Sequence, residues 1–165
     1  MTASSRTPAA GPPDLAATVS HRLHTLSKLT DRVSRTAYRD DAGIGHAEGR
    51  CLAAIGAFTP LSVKDLAYRA NLNKGQASRA AQALVDQGLV RKQPSALDGR
   101  GVVLTLTARG ERAWQRVMAV IERRNREIVD CLDDREKRQL DVLLDRLIEA
   151  ARVAVEAEGE GDEAD

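Results

Sequence analysis

Apolar residues recur along the chain at spacings that lay out its elements in order. After Asp14, a residue able to cap a helix, Leu15, Val19, Leu23, Leu26, Val33 and Ala37 follow at helical intervals and predict a first helix to about Tyr38. "RDDAGIG" interrupts it. A second helix is expected from about His46 to Ala57, with Cys51, Leu52 and Ile55 turned inward, and "FTPLS" ends it. Ser62 with Asp65 three positions on has the pattern of a capping box and opens a short helix through Ala70. Asn73 and Gln76 repeat that pattern and open a further helix. It closes at Gly88, where a left-handed C-cap is expected ahead of apolar Leu89. Two β-prone runs, "LVRKQ" and "VVLTLT", then flank "PSALDGRG", whose Pro, Ser, Asp and Gly suit a hairpin loop. Thr107 is placed to cap a long helix holding Trp114, Val117, Met118, Ile121, Ile128 and Leu132. Asp133 or Asp134 opens a last one, striped by Leu140, Leu144, Leu147 and Ala151.

Two capped helices joined by a brief turn and followed by a hairpin make a winged helix-turn-helix. The fold class expected is therefore mainly α with a small β-hairpin wing. One domain is expected over residues 14–155, with the winged lobe at 46–107. The helical stretches 14–40 and 108–155 lie outside that module and are longer than it requires. They are read as dimerisation helices. Residues 1–13, rich in Ala, Ser, Thr and Pro, and the acidic tail 156–165 are expected to be disordered.

Composition narrows the classes. A chain of 165 residues suits one domain, and 42% hydrophobic with only 2% aromatic content makes a core of Leu, Val, Ile and Ala. No run approaches the roughly 18 apolar residues of a membrane span, and "MTASSRTPAAGPPD" lacks the apolar stretch of a signal peptide. The expectation is a soluble cytoplasmic protein with no membrane partner. Cys51 and Cys131 form neither a CxxC nor a disulfide framework. The apolar helical setting of Cys51 favours a buried, inert thiol over a redox switch. Gly43-Ile-Gly45 follows no strand and lacks a third glycine, so it is a turn rather than a phosphate loop. His21 and His24 stand three apart without cysteine or carboxylate partners, and no metal or other cofactor is expected. Trp114 is read as core. With no nucleophile elbow, zinc motif or Walker loop, an enzyme is not expected either.

Charge changes the picture more. A net charge of +1 and a pI near 7.8 exclude a uniformly basic nucleic-acid binder. The average hides an asymmetry: the final ten residues carry six acids and no base, so the rest of the chain holds +7. Between Ser62 and Thr107 seven basic residues (Lys64, Arg69, Lys74, Arg79, Arg91, Lys92 and Arg100) face three acids, a local excess of +4. A basic module in a near-neutral chain is an electrostatic footprint for a polyanion.

The helix opened by Asn73 shows where that footprint is directed. At about 100° per residue, Lys74, Gly75, Ser78, Arg79 and Gln82 fall within an arc of roughly 140°. Ala77, Ala80, Ala81 and Leu84 fall opposite. Alanines let the helix sit close to its neighbours, while the polar face offers groups that read DNA: Gln for adenine, Arg or Lys for guanine, Ser for either base edge or a phosphate. These residues sit in the N-terminal half, the part of a recognition helix that enters the major groove. On the hairpin, Arg91 and Lys92 lie on a strand and Arg100 near the tip, with Asp98 placed to pre-aim it. A winged-helix protein-interaction module without sequence-specific DNA binding is the alternative. It should expose apolar residues where Lys74, Ser78, Arg79 and Gln82 stand.

The stretch "LSVKDLAYRANLNKGQASRAAQALVDQGLVRKQPSALDGRGVVLTLTARG", residues 61–110, resembles the MarR family of bacterial winged-helix transcriptional regulators. The carriers are the "LA" helix, a polar helix ending in "L…GLV.R", and the wing pattern of Asp98, Arg100, Leu106, Thr107 and Gly110. The resemblance implies a homodimer with interlocked terminal helices on a pseudo-palindromic operator, usually a repressor released by a small ligand. It carries DNA contacts to Lys74, Gln76, Ser78, Arg79, Gln82 and Arg100, with Asp98 in support. "SHRLHTLSKLTDRVSRTAYR" and "GHAEGRCLAAI" resemble the branch governing catabolism of small aromatic acids, in which an aromatic residue commonly precedes the Arg of the second helix. Gly49 stands there in this chain. Arg50 then has two readings: partner of an effector carboxylate, aided by Ser20, His21 or His24, or an ordinary salt bridge.

Overall fold

The computed structural model describes residues 14–94 and 102–162. The segment 1–13, Asp98 and Arg100 on the expected wing tip, and the last three residues of the acidic tail lie outside the described residues. The chain divides after Glu122 into two compact units.

The first unit begins with a single 3-10 turn, Leu15–Ala17, followed by helix α1, Val19–Ala37. Asp14 caps only the short turn, accepting from Ala16 N, and Thr18 caps α1 by accepting from His21 N. "RDDAGIG" does not end the helix at once. The chain widens into one π turn, Tyr38–Ala42, and stops at Gly43, whose φ of 65° is left-handed. That extra turn carries Tyr38 and Ala42 into the core. Gly49 on helix α2, His46–Ala57, leaves the space that the Tyr38 ring fills, since a Cβ there would overlap the ring.

α2 is the hub of the lobe. It packs against α3 (Val63–Arg69), α4 (Lys74–Asp86) and the third strand of the sheet. Cys51, Leu52 and Ile55 join Leu66, Leu84, Leu104 and Val117 as the largest fully buried side chains, as the apolar pattern predicts for α2. Ser62 accepts from Asp65 N and caps α3. After α4 the chain turns at Gly88, φ 68°. Gly88 N donates to Val85 O and Leu89 N to Leu84 O, both at 2.9 Å, the paired bonds of a Schellman motif.

The sheet is antiparallel and three-stranded. β2 (Val90–Pro94) and β3 (Val102–Leu106) form the expected hairpin, with Val90 opposite Leu106 and Lys92 opposite Leu104. β1, Leu61–Ser62, is a strand that the sequence pattern does not announce. It pairs Leu61 with Leu104 and Ser62 with Val103, which gives the order β1-β3-β2. Thr107 then starts helix α5, Ala108–Ile128, accepting from Gly110 N while its hydroxyl donates to Gly88 O at 2.8 Å. The end of α4 and the start of α5 are thereby tied together. They approach so closely that a Cβ on Gly110 would collide with the Leu89 carbonyl. Trp114 packs over Gly56, a core role as expected.

The second unit holds the end of α5 and helix α6, Asp134–Asp162. Asp133 caps α6 by accepting from Arg135 N and Glu136 N, and Glu136 accepts in return from Asp133 N. One expectation needs correction: the acidic stretch from Glu156 is helical to Asp162. Glu156, Ala157 and Glu158 favour continuing the helix and no proline stops the run, although Gly159 and Gly161 are poor helix formers.

Candidate DNA-binding face

α4 is built with two unlike sides. Ala77, Ala80, Ala81 and Leu84 are buried against α2 and α3, and methyl-sized side chains allow that close approach. Its N-terminus is set by a complete capping box: Asn73 Oδ1 accepts from Gln76 N at 2.8 Å, and Gln76 Oε1 accepts from Asn73 N at 3.2 Å. The remaining first-turn N–H groups point outward with the positive end of the helix dipole. Lys74, Ser78, Arg79 and Gln82 are exposed, as the helical arc predicts, and so is Gln76.

These five are not equivalent. Lys74, Ser78 and Arg79 make no side-chain hydrogen bond or ion pair among the described residues, and so present free donors. Gln76 spends its carbonyl oxygen on the cap and keeps only its NH2 group. Gln82 is engaged at both ends, donating to Asp86 Oδ1 at 2.7 Å and accepting from Lys92 Nζ at 2.8 Å. This bridge ties the reading helix to strand β2, and periodicity gives no hint of it. Arg91 is exposed and donates to Thr105 Oγ1 across the hairpin. The positions of Asp98 and Arg100 lie outside the described residues.

A second feature adjoins the turn that leads into α4. A cavity of about 220 Å³ opens between α2, the α3–α4 turn and α5. Its wall includes Tyr38, Arg50, Phe58, Arg69, Asn71 and Met118. Arg69 stacks its guanidinium 4.5 Å from the centre of the Phe58 ring. Arg50 Nε donates to Ala70 O at 2.9 Å and Nη2 to Asn71 O at 3.1 Å, while Nη1 stands 3.9 Å from Asp31 Oδ1. Arg50 is thus held within the chain chiefly by backbone carbonyls, with Asp31 at the edge of ion-pair range. Ser20, His21 and His24 are exposed on the first turns of α1. They lie seven to eleven residues before Asp31, roughly 10–17 Å along the helix at its usual rise. Within one chain they do not meet Arg50.

His46 Nε2 lies 3.7 Å from Asp31 Oδ1, and its ring meets Tyr38 edge-on. Burial lowers the His46 pKa, with Asp31 acting against that and Arg50 and Arg35 adding to it. Burial raises the Tyr38 phenol, Arg50 opposing. The Cys51 thiol is pushed up to about 12, chiefly by burial, which leaves almost no nucleophilic thiolate near neutrality.

A polar reading helix on a short capped turn, followed by a strand hairpin, defines a winged helix-turn-helix protein. Residues 42–101 match the sequence profile of the MarR family, a family of transcription regulators, and over that segment the chain is similar to it. The HTH-type transcriptional regulator BilQ of Clostridium symbiosum is 28% identical over 93 residues, covering 56% of this chain. The match spans 65% of BilQ, just under two thirds of its length. Among solved structures, the PcaV transcriptional regulator of Streptomyces coelicolor, in complex with its natural ligand, superposes with a TM-score of 0.66. It is 23% identical, and the superposition covers 86% of this chain and 99% of that one. Bordetella bronchiseptica BpsR, whose DNA binding is regulated by 6-hydroxynicotinic acid, gives 0.72 at 18% identity over 83% and 97% of the two chains. At these identities the two structures share the fold.

Proposed function

We propose that this chain is a ligand-responsive transcriptional regulator that binds a pseudo-palindromic operator as a homodimer, represses there, and is released by a small aromatic carboxylate. The observation that carries the reading is the face of α4. Its N-terminal half presents Lys74, Ser78 and Arg79 unengaged, on a helix held from behind by alanines. Lys74 and Arg79 suit guanine or phosphate, Ser78 a base edge or phosphate. Arg91 and Lys92 extend the positive surface onto the wing. The alternative, a protein-binding module, needs an apolar surface at these positions, and the residues there are polar.

Dimerisation is supported by α1. Leu15 of the preceding turn and Val19, Leu23, Leu26, Leu29 and Val33 of α1 are 47–67% exposed, an apolar stripe left uncovered by the described residues. A two-fold dimer presents two reading helices to half-sites about one helical turn apart. The effector reading rests on the cavity. Its volume is below the roughly 300–1,000 Å³ of drug-sized sites, which suits a single ring. Tyr38 and Phe58 offer apolar faces, and Arg50 and Arg69 offer guanidinium groups to a carboxylate.

Gel retardation of the full chain on DNA upstream of its own coding sequence tests the proposal. The expected result is a salt-sensitive shift that weakens when an aromatic acid such as 6-hydroxynicotinate is added. Absence of any salt-sensitive retardation would sink the regulator reading.

A further inference from the structure

The turn between α3 and α4 decides where the reading helix points, and a residue 20 positions upstream holds it. The N–H groups of Ala70, Asn71 and Leu72 donate back to Leu66, Tyr68 and Ala67 of α3. Nothing in that pattern holds the carbonyls on the outer side. Arg50, on α2, does so: its planar fork takes the carbonyls of two successive residues, Ala70 and Asn71. Asn71 sits at φ 50°, a left-handed conformation that few residues other than Gly, Asn and Asp adopt. Two residues later comes Asn73, the cap of α4. Arg50 also lines the cavity, with its side chain 26% exposed. A carboxylate there is a stronger acceptor for a guanidinium than a neutral carbonyl, because both partners carry charge.

We propose that Arg50 is the positioning residue for the recognition helix, and that a carboxylate in the cavity acts by drawing its guanidinium away from the carbonyls of Ala70 and Asn71. Asp31 is the alternative anchor already at hand, close enough to hold the displaced group electrostatically. The link to DNA and effector rests on the regulator reading above, whereas the clamp on the turn stands without it.

Amide hydrogen exchange on the full chain tests the clamp directly. In Arg50→Met, the amides of residues 71–77 are expected to exchange about tenfold faster or more, the loss of two charge-assisted bonds, while those of α5 keep their rates. Arg50→Lys, whose ammonium reaches one carbonyl, should lie between. DNA affinity of Arg50→Met should fall about tenfold, with an unchanged slope of log affinity against log salt, because no phosphate contact is lost. A shallower slope would make Arg50 a phosphate ligand and overturn the proposal. Uniform acceleration across the lobe, or unchanged exchange at 71–77, overturns it as well. Benzoate, titrated to its solubility limit, should speed exchange at 71–77 in the wild type and not in Arg50→Met. A wild type indifferent to benzoate overturns the competition. A wild type that binds no DNA overturns the regulator reading instead, and the exchange result for Arg50→Met still decides the clamp.

Discussion

α4 and α1 are both amphipathic helices, and they expose opposite kinds of surface. α4 buries Ala77, Ala80, Ala81 and Leu84 and turns Lys74, Ser78, Arg79 and Gln82 to water. α1 buries no residue fully and turns Leu23, Leu26, Leu29 and Val33 to water. A polar exposed face is at no cost in solvent and suits a hydrated polyanion. An apolar one of this length is unfavourable alone and suits a copy of itself. Amphipathicity alone therefore does not say which face of a helix does the work. The deciding quantity is which face the rest of the chain has already covered.

The largest test of this contrast is a charge in the α1 stripe. Leu26→Glu should convert a dimer to a monomer by sedimentation and weaken operator binding about a thousandfold, since an unpaired buried charge costs several kcal/mol. A dimer that persists with full DNA affinity would show that α1 is not the interface. On α4, Ala81→Leu overpacks the buried side, with an expected loss of about 3 kcal/mol in denaturant unfolding. Arg79→Ala acts on the other side alone: DNA affinity should fall by about 2 kcal/mol at unchanged stability. If both substitutions shift stability alike, the two sides of α4 are not distinct. Asn73→Ala should cost about 1 kcal/mol by removing the cap, read as early fraying of the first turn in hydrogen exchange.

The smallest effect is that of pH at the junction of α1 and α2. Burial holds His46 below its usual 6.5, so the folded chain favours the neutral ring while the unfolded chain takes its proton at 6.5. This contribution to stability is whole above 6.5 and is lost as pH falls below it toward the folded value. Denaturant unfolding on both sides of pH 6.5 should show the loss in the wild type and not in His46→Gln. An identical pH dependence in the two proteins would remove His46 from the account.

Features written in local chemistry are legible in the amino-acid sequence. Ser62, Asn73, Thr107 and Asp133 cap the helices that their spacing predicts, and Gly88 closes α4, because each cap is a contact within a few residues. The alanine face of α4 is legible for the same reason. What escapes depends on partners far along the chain. β1 is two residues long and exists only because β3 offers it a ladder. Asp14 and Thr18 are both able to cap, and geometry gives α1 to Thr18. The π turn at Tyr38 depends on the space left by Gly49. Arg50 is legible as a charge of interest, but its acceptors are carbonyls, which every residue carries and no side-chain pattern marks. The bridge from Gln82 to Lys92 joins residues ten apart on different elements, and it engages a glutamine that the helical arc places squarely within the polar face.

The division of α4 into an alanine side and a polar side also bears on how such a protein changes over generations. If α4 reads DNA as proposed, the fold depends on Ala77, Ala80, Ala81 and Leu84, and the target on Lys74, Ser78 and Arg79. The two sets share a helix but no positions. On that reading a duplicate of this chain is free to drift toward a new target, one exposed residue at a time, without passing through an unfolded ancestor. The same separation makes α4 a natural cassette for laboratory retargeting, with the alanines left untouched.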